Sequence, residues 1–195
     1  MNDTLLTSDV KKLMNSLGKL PEPTTSPALI VVSGLPGSGK SYFSRRLAER
    51  LPLPIIESDA MRQILSEKPT YSPGESERLF RACHALIGDL LRKGISVIFD
   101  ATNLIEHHRE QLYRIADRAG AKLVLVRVEA PPELVHQRLE RRQTEPDPND
   151  KSDADWKVYQ KMTATAEKIR RNHFAVDTSK NIAPAIEKIV REARR

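Results

Sequence analysis

At 195 residues, 39% hydrophobic and 30% charged, the chain has the size and composition of one globular domain with a sizeable core. Its single cysteine, Cys83, excludes an internal disulfide framework and a cysteine-rich zinc site; beside Leu79, Phe80, Leu86 and Ile87 it reads as a core thiol in a reducing cytosol. The net charge of +6 permits a phosphate-rich partner, and no stretch reaches the roughly 18 apolar residues of a membrane span, so a cytoplasmic protein without membrane contact is expected.

Leu6, Val10, Leu13, Met14 and Leu17 recur at helical spacing over Leu5–Leu17, and Gly18 ends that segment. Leu20 to Pro27 is a proline-rich, extended connector. Residues 1–27 are therefore expected to be a helical arm and linker packing on a domain at 28–195. Ala28–Val32 is a β-branched apolar run, and the glycine-rich turn Ser33–Ser41 leads into an amphipathic helix with Phe43, Leu47 and Leu51 on one face. A second strand at Leu53–Ser58 passes straight into a helix over Asp59–Leu65. After a polar loop at 66–74, Ser72 reads as an N-cap, Pro73 as the first helical residue and Glu75 as the partner closing a capping box. That helix runs to Lys93 and stops at Gly94.

A third strand at Ile95–Phe99 ends in Asp100-Ala101-Thr102-Asn103, and a helix over Ile105–Ala119 and a strand over Ala121–Val128 follow. Pro131 starts a helix reaching Arg142, Gln143–Asp153 is polar and expected to be mobile, and another helix covers Ala154–Arg171. Strand Phe174–Asp177 and a helix over Ile182–Arg194 close the chain. Short strands alternating with helices predict an α/β fold, its parallel sheet covered on both faces. Ligands then bind at the edge reached after Val32, Ile56 and Phe99.

Gly34, Gly39, Lys40 and Ser41 fill the fixed positions of G-x-x-x-x-G-K-[ST], with a strand before and a helix after, as a phosphate-binding loop requires. Gly34-Leu35-Pro36-Gly37-Ser38-Gly39-Lys40-Ser41, with Tyr42 next, is expected to bind ATP through backbone amides and a helix N-terminus. Lys40 would reach the β- and γ-phosphates and Ser41 would ligate Mg²⁺. Asp59, at the end of the second strand, is the candidate base for an acceptor hydroxyl, and Arg62, three residues on, the candidate acceptor anchor. Asp100, closing the third strand, is a candidate Mg²⁺ holder. Thr102 and Asn103 are expected to line the acceptor pocket, although Asn103–Glu106 also reads as a capping box.

Arg138, Arg141 and Arg142 stand at i, i+3 and i+4, on one face of a helix before the mobile stretch. They predict a lid over about 138–155 that closes on ATP and, through Arg138 and Arg142, stabilises the moving charge. Asp177–Asn181 is a candidate adenine-side loop or a plain turn. Histidines 84, 107, 108, 136 and 173 show no metal-ligand spacing, and Trp156 and Tyr159, one turn apart, read as packing residues.

Together the Gly-Leu-Pro-Gly-Ser-Gly-Lys-Ser of 34–41, the Ser-Asp-x-x-Arg of 58–62, the Asp-Ala-Thr-Asn of 100–103 and the Arg-x-x-Arg-Arg of 138–142 resemble the P-loop kinase superfamily. Among its AAA-type ATP-binding kinases, the chain resembles the group containing the 5′-hydroxyl polynucleotide kinases. The resemblance implies a three-layer α/β/α P-loop NTPase fold, a five-stranded parallel sheet of order 2-3-1-4-5 and a helical lid. It further implies ATP and Mg²⁺, Asp59 as general base for a 5′-hydroxyl, Arg62 on the acceptor and the lid arginines on the ATP phosphates. The expected function is ATP-dependent transfer of a γ-phosphate to a hydroxyl, with the 5′-hydroxyl of a polynucleotide first. A small-metabolite or antibiotic kinase is one alternative, and a nucleotide-dependent ATPase or binding factor without an acceptor is another.

Overall fold

The computed structural model describes residues 2–145 and 152–195. Helix α1 spans Asn2–Ser16, and its Leu13 is fully buried. Asp9, 1% exposed, accepts two hydrogen bonds from Arg78, each of 2.7 Å, which fix α1 against α4 (Pro73–Arg92), while α3 (Ser58–Leu65) also packs on α1. The proline-rich connector has no regular partner strand, yet its backbone is tied down. Thr24 N donates to Gly94 O at 2.8 Å, and Pro27 O accepts from Lys122 N at 2.8 Å.

Strand β1 (Ala28–Ser33) is buried throughout, as a central parallel strand covered on both faces must be. With β2 (Ile55–Glu57), β3 (Val97–Asp100), β4 (Lys122–Glu129) and β5 (Phe174–Asp177) it forms a parallel sheet of order β2-β3-β1-β4-β5. Alternate residues of one strand feed opposite cores. Leu29, Val31 and Phe99 face α1, α4 and α5 (Glu106–Arg118), whereas Ile30, Val32 and Ile98 face α2 (Lys40–Ala48) and α8 (Ala183–Arg194). This is the three-layer α/β/α fold with the expected strand order. Its register sets Val32 beside Asp100 and Glu57 beside Asp100, so the carboxyl ends of β1, β2 and β3 open on one edge.

Helices α6 (Pro132–Thr144) and α7 (Trp156–Thr165) share a small core of Val135, Leu139 and Tyr159, against which Leu35 and Trp156 pack. The Trp156 and Tyr159 rings stack at 4.7 Å, a packing role as expected. The part of the anticipated lid at 146–151 lies outside the described residues. No described helix is long and apolar enough to cross a membrane.

Three local expectations change. Ser72 caps α4 by accepting from Glu75 N, but the Glu75 carboxylate does not return to Ser72; Thr70 N, at 2.6 Å, and Thr70 Oγ1, at 2.8 Å, claim it instead. Helix α7 stops at Thr165 rather than Arg171, because tertiary bonds take over the backbone. Glu167 N donates to Leu104 O, and the carbonyls of Glu167 and Lys168 accept from Arg109 at 3.0 Å each. Asn103 caps nothing: it is buried at φ +46°, and its side-chain amide donates to Val32 O at 3.0 Å. Helix α5 instead receives a cap from afar, the Glu167 carboxylate accepting from Glu106 N at 2.7 Å.

Candidate active site

At the end of β1 the chain must turn without a side chain, since a Cβ on Gly34 would stand 2.3 Å from the carbonyl oxygen of Val128. Gly34 N donates to Thr102 O, and the Ser33 hydroxyl donates to Thr102 O and Asn103 O at 3.0 Å each, so the loop and the turn after β3 are one unit. Gly39 sits at φ +91°, a conformation costly for other residues, and starts α2 without a side-chain cap. The first turn of α2 therefore presents its amides and partial positive charge to an incoming anion.

Above this turn lies a cavity of about 490 Å³. It gathers Pro36, Gly37, Gly39, Lys40, Ser41 and Tyr42 from the loop, Asp59 from the start of α3, Asp100 and Thr102 after β3, and Arg138 and Arg142 from α6. Lys40 Nζ donates to Leu35 O at 3.0 Å. Burial pulls its ammonium below the usual lysine range, an effect that the nearby Asp100 and Asp59 oppose. The Ser41 hydroxyl donates to Glu57 at 3.1 Å. Arg138 donates to Gly37 O at 3.2 Å, to the Thr178 hydroxyl at 2.8 Å and to Thr178 O at 3.1 Å; Arg142 donates to Ala154 O at 3.1 Å.

Other expected residues lie elsewhere. Gly34, Leu35 and Ser38 line a separate cavity of about 210 Å³ behind the loop. Arg141 does not share the inward face of Arg138 and Arg142: it is exposed and bonds Glu145 at 2.8 Å, one helical turn ahead. Asn103 does not line the cavity either, its side chain being spent on β1.

Arg62, although on the same helix as Asp59, points away from the cavity. It is 6% exposed, donates to Glu75 at 2.5 Å and lies 4.6 Å from the centre of the Tyr71 ring. The amide of Thr70 and this guanidinium together hold the Glu75 carboxyl down at about 2. Arg62 thus staples the loop after α3 to α4. The Tyr71 hydroxyl in turn donates to Asp153 at 2.8 Å, tying that loop to the segment before α7.

Two charged cavity residues, Glu57 and Arg45, escaped the sequence reading, and Thr178 figures in it only as part of a loop. Glu57 has no motif of its own; only the sheet register sets it beside Asp100. Arg45 follows Ser41 by four residues, a helical spacing that could have flagged it. Thr178, within the candidate adenine-side loop, donates to Ser38 O at 2.7 Å and so braces the phosphate loop from β5.

The oxygen set of Ser41, Glu57 and Asp100 suits a hard divalent cation such as Mg²⁺, which takes few protein ligands and keeps several waters. Asp100 Oδ2 is buried without a hydrogen-bond partner among the described residues. Burial pushes both the Asp100 and the Glu57 carboxyl above the ordinary range, Lys40 opposing the first and Asp100 adding to the second. A cation there would supply the missing positive charge.

The L-seryl-tRNA(Sec) kinase of Methanococcus maripaludis is 30% identical over 124 residues, 60% of this chain and 48% of that protein. The adenylyl-sulfate kinase of Myxococcus xanthus is 29% identical over 107 residues, 53% of this chain and 58% of that one, so the match spans about half the length of these relatives. A structure described as a putative kinase of Chloroflexus aurantiacus superposes with a TM-score of 0.70 at 18% identity, covering 86% of this chain and 99% of that one. A family model described as "AAA domain" matches residues 29–169, and with it the chain belongs to that family, within the P-loop kinase superfamily.

Proposed function

We propose that the protein is an ATP-dependent phosphotransferase that moves a γ-phosphoryl group onto a hydroxyl, the 5′-hydroxyl of a polynucleotide being the acceptor placed first. The observation that carries the reading is one cavity holding a phosphate loop with its lysine and, on the neighbouring strand ends, two carboxylates of different surroundings. Asp100 is deeply buried beside Lys40, whereas Asp59 is partly exposed at the cavity wall, where a hydroxyl can reach it.

Asp59 takes the proton as the acceptor oxygen bonds to the γ-phosphorus and the bond to the β-phosphate oxygen breaks. Lys40 and the first turn of α2 stabilise charge on the leaving diphosphate, and Arg138 and Arg142 stabilise the equatorial oxygens. Ser41, Asp100 and Glu57 would hold Mg²⁺, which would supply positive charge against the triphosphate oxygens.

Transfer of label from γ-³²P-ATP to 5′-hydroxyl DNA and RNA oligonucleotides tests the acceptor. Asp59→Asn should lose transfer by about 10²–10⁴-fold while still binding ATP. Labelling of neither oligonucleotide refutes the polynucleotide version. The match to an adenylyl-sulfate kinase supports a second reading, a small-metabolite acceptor on the same machinery. Transfer to a sugar or nucleoside-type alcohol with no dependence on salt would establish it in place of the first.

A further inference from the structure

One wall of the cavity takes no part in the phosphate-holding described above. Tyr42 and Arg45 stand three residues apart on α2, so they leave the helix on the same side, and both line the cavity next to Ser58 and Asp59. The opposite side of α2 supplies Phe43, Ser44 and Leu47 to the core. Tyr42 is 54% exposed, an aromatic ring kept in water at the cavity mouth.

Its neighbourhood repeats the pattern. Among the described residues the exposed large hydrophobic side chains are Leu5, Tyr42, Ile64 and Tyr71. Three of them belong to α2, α3 and the loop after α3: Tyr42 follows the phosphate loop on α2, and Ile64 shares α3 with Asp59. The cation expected to serve this side, Arg62, is committed to Glu75 at 2.5 Å. Arg45 is the arginine that the fold places on the wall itself.

An exposed ring one helical turn from an arginine matches a single-stranded nucleic acid, whose bases stack on aromatic faces while arginine follows the phosphates. A polyol offers no π face for such a ring, and a nucleoside-type alcohol offers a base but no 3′-phosphate for the arginine. We propose that Tyr42 stacks the terminal base of a single-stranded polynucleotide acceptor and that Arg45 takes the phosphate 3′ to it, setting the 5′-hydroxyl at Asp59. The proposal rests on the phosphotransferase reading and assigns the residues that would choose its acceptor.

The test uses the full chain and a 5′-hydroxyl DNA hexamer, and its RNA counterpart, with 2-aminopurine as the first base. Stacking on Tyr42 should quench the fluorophore; Tyr42→Ala should abolish the quench and weaken binding about tenfold or more, and Tyr42→Phe should restore both. Arg45→Gln should lower the slope of log affinity against log salt by about one. Unquenched binding by the native protein, equal affinity in Tyr42→Ala, or no binding of either hexamer each overturns the proposal. The fluorescence readout does not depend on turnover. Quenched binding without phosphoryl transfer would therefore overturn the polynucleotide-kinase reading while leaving the stacking platform in place.

Discussion

Arg109→Met tests the joint that fixes the turn after β3 and the start of α5 against the segment after α7. Arg109 is 1% exposed, and its guanidinium donates to Glu106 at 2.7 Å, to Asn103 O at 2.6 Å and to the carbonyls of Glu167 and Lys168 at 3.0 Å each. Methionine keeps the apolar stem and removes every donor, leaving Glu106, its side chain 10% exposed, as a buried carboxylate without its cation. Breaking a buried pair from one side costs about 3–5 kcal/mol, a large part of the roughly 5–15 kcal/mol that holds a domain together. At about 2–4 °C per kcal/mol for a chain of this size, a thermal melt should fall by about 10 °C.

Much of that penalty belongs to the stranded carboxylate rather than to the lost bonds. Glu106→Leu added to Arg109→Met should therefore recover most of the melting temperature. A single variant melting within about 2 °C of the native protein, or a double variant less stable than the single, would refute the account.

Burial pulls the His84 imidazole down to about 4, so between that value and 6.5 the folded chain binds fewer protons than the unfolded one. This contribution is complete above pH 6.5 and is lost as pH falls toward 4, about 3 kcal/mol in all; denaturant titrations at pH 7 and 4.5 should show the loss, and His84→Leu should flatten it. Gly34→Ala, whose Cβ would meet Val128 O at 2.3 Å, should abolish binding of a fluorescent ATP analogue, while Gly74→Ala, with nothing within 4 Å, should leave it unchanged. Asp9→Ala removes both bonds to Arg78 and should cost about 2 kcal/mol by chemical denaturation; an unchanged midpoint would show that α1 is held by its apolar face alone.

The alternation of strands with helices and the phosphate loop were legible because each rests on local chemistry: a buried β-branched run, a glycine pattern and a helix with one apolar face; the strand order came only with the family resemblance. The side chains that moved did so through contacts between distant segments. Arg62 shares a helix turn with Asp59, yet Glu75, thirteen residues later, captures it. Asn103 carries a capping pattern, yet its side-chain amide is spent on the carbonyl of Val32, and Glu167 supplies the cap. Glu57 is silent in sequence because its meaning is its register beside Asp100. Helical spacing could separate Arg138 and Arg142 from Arg141 only to within a turn; the nearby Glu145 decided which arginine faces out.

These displacements sort the charges around the cavity. Arg62 and Arg141 are neutralised by glutamates of their own neighbourhood, and what remains on the cavity wall is Lys40, Arg45, Arg138 and Arg142 against Glu57, Asp59 and Asp100. The acids cluster at the ends of β2 and β3, and three of the four cations stand at the end of the loop and on α6. In the proposed reaction a site divided in this way would set its cations against the triphosphate and its carboxylates toward the acceptor hydroxyl. The carboxylate edge repels the γ-phosphate until a proton or a divalent cation intervenes, so Asp59 and the Asp100–Glu57 pair need separate roles. Asp59, partly exposed, can exchange a proton with an acceptor; Asp100, buried with an unpartnered oxygen, cannot reach one and is suited to a cation instead.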